Sequence, residues 1–403
     1  MPAMLILAAL IPRDAIKEKS LKSAQYMFEH EQFECMIDGV EGSRLDRYAD
    51  SILLNIAYNL DSEYPIKSVM LSAYYFTPDH EENENYLISV RDDTGINRQY
   101  LRYWHGSIAL VRPLLAVVSV CGIYVVNACI IVILFAVYAV LLVRIKEYVP
   151  LVAMAIALVM TRVWFVPMCL EYTWMIMLML ICSIATVVMH KKEMDGCYDL
   201  LFILSGMTTA FFDFLTTETL TLLVPLLLIL WFMQYRDVSP KDKILLPLKY
   251  AICWGVSYVA MWASKWLLTS VVMKENALPY VLEHVEERIG GDLGLGLGQY
   301  ITGALIRNIG CLFPLGYGAI GVIAFIAVII YAFYRAYVYR GNAVDKRLIL
   351  VMTLAGLVPF VRYMVLHNHS YIHCFFTYRA MIATVMSAVM IVSLITKRRY
   401  DRK

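Results

Sequence analysis

Gly122-Ile-Tyr-Val-Val-Asn-Ala-Cys-Ile-Ile-Val-Ile-Leu-Phe-Ala-Val-Tyr-Ala-Val-Leu-Leu-Val143 contains no charged residue and is followed at once by Arg144 and Lys146. A helix of about 20 apolar residues crosses the hydrocarbon of a bilayer, so this run predicts a membrane span closed by cations. Outward from it, the runs 150–167, 172–189, 198–213, 219–234, 245–271, 318–338, 348–366 and 380–396 repeat the pattern, giving about nine spans. The whole chain agrees: of its 403 residues 60% are hydrophobic and 17% charged, with mean hydropathy +0.63. Soluble domains carry about a quarter charged residues, so the composition predicts an all-α polytopic membrane protein. A net charge of +2 offers no nucleic-acid footprint. The nine cysteines lie scattered with no Cys-x-x-Cys, which reads as small buried hydrophobes rather than a disulfide framework.

The connections set the orientation. Arg144/Lys146, Lys191/Lys192, Arg236/Lys241/Lys243, Arg335/Arg340/Lys346/Arg347 and the terminal Lys397, Arg398, Arg399, Arg402 and Lys403 alternate with connections almost free of cations. In 168–171, 214–218 and 367–379 the single cation is Arg379. Cations gather on the cytoplasmic side, so the pattern predicts a multi-pass cell-membrane protein with a cytoplasmic C-terminus and residues 13–106 external. Residues 1–12 read as the remnant of a first membrane helix or an interfacial anchor, 13–106 as an external loop domain with helices near Asp14–Glu31 and Arg44–Tyr58, and 107–403 as the transmembrane domain.

Within the external region, Ser43-Arg-Leu-Asp46-Arg-Tyr-Ala-Asp50-Ser-Ile-Leu-Leu-Asn-Ile-Ala-Tyr58 places Leu45, Ala49, Ile52, Leu53 and Ile56 on one helical stripe. Asp46 and Asp50 stand four apart and stack at the edge of that stripe. Two acids one turn apart beside an apolar surface repel each other. They are either solvated decoration of the helix shoulder or a carboxylate pair aimed at a membrane-embedded cavity.

The remaining polar clusters fall on the outer side. Tyr100-Leu-Arg102-Tyr-Trp104-His105-Gly-Ser107 and Arg112-Pro113 have the composition of a membrane interface. They are an aromatic belt, or Trp104 stacks on a sugar ring while His105 and Arg112 line a polar mouth. Asp213 and Glu218 sit in a cation-free connection at membrane depth, where acids usually face an interior cavity. The connection 272–317, with His284, Glu286, Glu287, Arg288 and a glycine-rich run, is a plain flexible loop or a mobile lid. In the last outward turn, His369 and His373 share a helix face and Arg362 and Arg379 bracket them. Acidic partners and a zinc-like spacing are missing there. Two guanidiniums with imidazoles suit a phosphate or pyrophosphate, the alternative being interfacial aromatics with snorkelling cations.

A long outward loop after the first span, acids near its start, many spans and outward basic residues resemble the GT-C superfamily of membrane glycosyltransferases. The runs Asp50-Ser-Ile-Leu-Leu-Asn-Ile-Ala-Tyr, Arg102-Tyr-Trp-His-Gly, Arg112-Pro-Leu-Leu, Phe212-Asp-Phe-Leu-Thr and His369-Ser-Tyr-Ile-His-Cys-Phe-Phe-Thr-Tyr-Arg look like bacterial multispanning proteins of that type. The resemblance implies a polyprenyl-phosphate-linked sugar donor, a cell-surface glycan or lipid acceptor, and an acid of the first external loop as catalytic base. No Asp-x-Asp or Glu-x-Asp pair stands in 13–106. Asp50 is therefore the expected base with Asp46 competing, and a divalent cation stays open as a cofactor. Arg362, His369, His373 and Arg379 would hold the donor phosphate. Trp104, His105, Arg112, Asp213 and Glu218 would contact sugar or acceptor. A transporter or flippase of a lipid-linked glycan, or a non-catalytic membrane scaffold, are the other functions compatible with these residues.

Overall fold

The computed structural model describes residues 1–277, 279–280, 294–313 and 345–396, with scattered positions between 323 and 337. Most of the 318–338 run, the His284–Arg288 stretch of the 272–317 loop, and the cations Arg335, Arg340, Lys397, Arg398, Arg399, Arg402 and Lys403 lie outside them. Among the described residues the regular structure is helical, and pairing of extended backbone is limited to two isolated bridges.

Among the described residues, five helical segments are long and apolar enough to cross a membrane. They are α7 (Val120–Arg144), α9 (Thr173–Lys191), α12 (Asp242–Met273), α14 (Lys346–Val365) and the continuous run Cys374–Ile395, formed by α16 (Cys374–Thr377), a short 3-10 turn and α17 (Ile382–Thr396). Three further apolar helices are α8 (Tyr148–Met160), which stops short of its 150–167 run, and α10 (Tyr198–Phe212) and α11 (Leu220–Phe232), which match theirs closely. The 150–167 run breaks because Arg162 lies inside it. A guanidinium in an apolar setting must find acceptors. Arg162 adopts φ +51° and reaches the Cys311 carbonyl at 2.6 Å, and a 3-10 turn containing Pro167 follows. The α11 helix, apolar on every side, is buried at nearly every position and forms the centre of the bundle. The α7 helix instead exposes most of its surface, as expected for a lipid-facing helix. The α10 and α12 backbones press together at Gly206, where a Cβ would collide with Trp254 and Ser257.

The basic connections among the described residues meet at one end of the bundle. There Glu147 accepts from Trp231 Nε1 (2.7 Å), Arg236 contacts His190 (3.2 Å), and Lys243 pairs with Asp345 (2.6 Å). The polar N-terminal layer covers the other end. It contains α1 (Pro2–Ala9), α2 (Arg13–Phe28), α3 (Arg47–Asn59), α4 (Pro65–Leu71) and α5 (Glu82–Arg91), and α6 (Ile108–Leu115) leads from it into α7.

The sequence marks α3 as amphipathic, with one face in water. The structure buries both faces, because α2, α5 and α6 pack against it and Asp50 reaches Tyr124 of α7. Its polar residues are paired: Ser51 donates to Asn83 (2.8 Å), and Asn59 donates to Asn55 (2.8 Å) and Ser89 (2.9 Å). Arg112 closes the far end. Its guanidinium, fully buried, donates to the carbonyls of Ala57, Tyr58 (3.2 Å) and Leu60 (2.9 Å), where α3 ends, and to Ile11 O at 2.6 Å. These are carbonyls that a helix C-terminus leaves without intrahelical donors. Lys265 of α12 does the same for α4, donating to Val69 O (2.8 Å) and Met70 O (3.0 Å).

Replacing Arg112 by Met keeps the volume and removes every donor. Leaving several buried carbonyls unpaired costs about 3 kcal/mol in total. Arg112→Met should therefore lower the thermal unfolding midpoint in detergent clearly, and Arg112→Lys should recover only part. An unchanged midpoint would refute the capping role.

Candidate functional site

Where the N-terminal layer meets the apolar helices, at the end where α9 begins and α14 stops, a cavity of about 390 Å3 opens. Its wall is built from Asp46 and Tyr48 at the start of α3, Arg98, Tyr100, Arg102 and His105 ahead of α6, Glu171 in the turn before α9, and Phe214 after α10. His369 of α15 (His367–Ile372) and His373 complete it, their rings 4.8 Å apart.

Two acids expected to act together part company here. The α3 helix starts at Arg47, so Asp46 is its N-cap, outside the helical repeat, with Oδ1 accepting from Ala49 N at 2.9 Å. Asp is favoured at this position because its side chain satisfies an otherwise unpaired N–H. The cap turns the Asp46 carboxyl to the cavity, where Glu171 lies beside it. Burial raises its pKa, against the opposing pull of the Ala49 N–H, Glu171 and Arg44.

Asp50, one turn on, is absent from the cavity wall. It is fully buried and accepts from Leu170 N (2.7 Å), Tyr124 Oη (2.6 Å) and Cys169 Sγ (3.5 Å). Burial pushes its carboxyl up to about 7, in spite of those donors. The expected base is thus a clamp between α3, α7 and the turn before α9, and Asp46 is the acid that meets the cavity.

His105 stands in the wall with φ +53°, a backbone conformation that is costly for a residue with a Cβ and that the packed surroundings must hold. Burial, then Lys265 and Arg102 nearby, holds its imidazole well below the usual range, so it is neutral. Of the four groups expected to hold a phosphate, His369 and His373 reach the cavity and the two arginines do not. Arg362 is bound to Glu218 (2.5 and 3.1 Å) and contacts Ser370 at 3.4 Å. Arg379 donates to Phe375 O (2.9 Å) and Gly42 O (3.3 Å) and lies over the Tyr172 ring. Glu218 is therefore Arg362's partner and Asp213 accepts from Thr216 at 2.5 Å, so both act inside the fold. Trp104 is also architectural: its Nε1 donates to Met261 O at 2.8 Å, and the ring is 99% buried.

Glu171 and Arg98 are charged cavity residues to which the sequence alone assigns no role, and Arg102 enters there only as part of the interface run. Glu171 had a signal, as the one acid in the outward connection 168–171. Arg98 stacks on Phe76 at 4.1 Å, a contact the sequence does not announce. No group of three or more His, Cys, Asp or Glu side chains among the described residues converges to hold a metal ion.

Asp50 fixes a pH dependence. Its folded-state pKa, about 7, exceeds the ordinary 3.8, so the folded chain binds that proton more tightly than the unfolded chain. Stability then declines as pH rises from about 4 to about 7 and levels off above, Asp46 adding to the same slope. Asp50→Asn should remove the Asp50 part, so its unfolding midpoint falls less between pH 5 and pH 8 than that of the native chain. Equal falls in both would contradict the assignment.

Compared with known protein families, curated proteins and solved structures, the chain matches none of them.

Proposed function

We propose that the chain is a polytopic membrane glycosyltransferase that moves a sugar from a polyprenyl-phosphate donor to a cell-surface glycan or lipid acceptor. One observation carries the proposal: the Asp46–Glu171 carboxyl pair and the His369–His373 pair share one cavity of about 390 Å3 beside the ends of apolar helices. A base and an anion-binding group facing one space is the arrangement an acid–base displacement at a phosphate-bearing carbon requires. The resemblance to GT-C enzymes described above adds the substrate class. The clustering of cations at the opposite end of the bundle supports an outward-facing cavity.

In this mechanism the donor's lipid tail lies along the exposed apolar helices and its phosphate meets His369, His373 and the guanidiniums of Arg98 and Arg102. The acceptor hydroxyl gives its proton to Asp46 as its oxygen attacks the anomeric carbon. The bond between that carbon and the phosphate oxygen breaks, and the phosphate leaves with the bonding pair. A single carboxylate base suffices for this direct inversion, with Glu171 beside Asp46 in the cavity wall. Neutral His105 and the Tyr48 and Tyr100 rings flank the sugar.

Purified chain in liposomes with a panel of polyprenyl-phosphate sugars tests the proposal, scoring glycosylated product and lipid translocation separately. Asp46→Asn should reduce product formation at least about 100-fold, the usual loss when a general base is removed. Asp50→Asn should keep most of the activity of whatever protein folds. Full transfer by Asp46→Asn would overturn the assignment, and lipid translocation without transfer would favour a flippase.

A further inference from the structure

Away from that cavity, a second hollow of about 310 Å3 is lined by Glu41, Gly42, Arg307, Phe313 and two cysteines, Cys311 and Cys374. The helix α13 (Leu297–Leu312) carries Cys311 near its end, and Cys374 opens α16. The two helices pack directly on each other, and the two thiols lie close enough to interact. Cys374 Sγ also approaches Glu41 Oε1 at 3.9 Å. The surroundings are rich in guanidinium: Arg307 and Arg44 flank Glu41 at 3.6 and 2.7 Å, and Arg162 donates to Cys311 O at 2.6 Å. Both cysteines border this hollow, with side chains that the helices bury.

We infer that Cys311 and Cys374 are a redox dithiol that closes to a disulfide joining α13 to α16. The chemistry is exchange with a small-molecule disulfide such as oxidised glutathione. One thiolate attacks the oxidant, forming a mixed disulfide and expelling one glutathione thiolate. The second cysteine thiolate then attacks the mixed disulfide and expels the other. Two protein S–H bonds are replaced by one S–S bond, and the two electrons reside in two glutathione thiols. Closure would be felt at the cavity described above. His373 immediately precedes Cys374, and Phe375 follows it and packs on Phe33, another residue of that wall.

The test uses the full chain in detergent, reduced, then exposed to oxidised glutathione, blocked with N-ethylmaleimide and digested for mass spectrometry. A peptide joining Cys311 to Cys374 should appear in most molecules, disappear with dithiothreitol and be missing in Cys311→Ser. Cys197→Ser, at the other end of the bundle, should still form it. Alkylation of both thiols after oxidation, a stable glutathione adduct on either, or a link to a different cysteine would overturn the inference. The native chain alone decides the matter should Cys311→Ser fail to fold.

Discussion

The carboxyl of Asp50 is the fixed point from which the site is built. It receives a backbone N–H from Leu170 and hydroxyl and thiol hydrogens from Tyr124 and Cys169. Those groups belong to α7 and to the turn ahead of α9, so one side chain ties the polar layer to two apolar helices. A buried carboxyl is tolerable only when its oxygens are satisfied. Satisfaction here demands that three separate stretches of chain meet. With α3 held there and its far end closed by Arg112, its first turn has one position left, and Asp46 and Tyr48 face the cavity as a result.

The same rule explains why so many conspicuous residues turn out to be architectural. Arg112, Arg162, Arg362 and Arg379 stand out in an apolar sequence because charge is scarce there. In a low-dielectric interior each must find acceptors, and each does so within the fold. Glu218 and Arg362 neutralise each other across the start of α11 and the end of α14. Residues that reach the cavity are instead those set where helices begin or stop, since a helix terminus aims its flanking side chains outward from the packed bundle. Asp46, Glu171, His369 and His373 share that placement.

Hydropathy made the apolar helices legible, because about 20 uncharged residues announce themselves without any tertiary information. The same reading carried one helix too far, through 150–167. Arg162 within 150–167 was a visible warning, and its consequence, a 13-residue α8 and a 3-10 turn, follows from the need to pair it. The two acids of α3 were legible as functional candidates but not their division of labour. Four-residue spacing stacks side chains only when both residues are inside the helix, and Asp46 is the cap. Attention to the preference of Asp for that position would have separated them. The pairing of Asp46 with Glu171, and of α3's end with Arg112, joins residues far apart in sequence, and no local pattern encodes it.

The length of α12 has a consequence for the surroundings of the molecule. At about 1.5 Å per residue, its 32 residues extend about 48 Å, against a hydrocarbon layer of about 30 Å. The surplus near its C-terminal end holds Lys265, which grips the carbonyls of α4, so the polar layer rides on this helix as on a mast. A thicker or thinner bilayer changes how far such a helix leans. Lipid acyl-chain length thereby becomes a mechanical input to the layer that roofs the cavity.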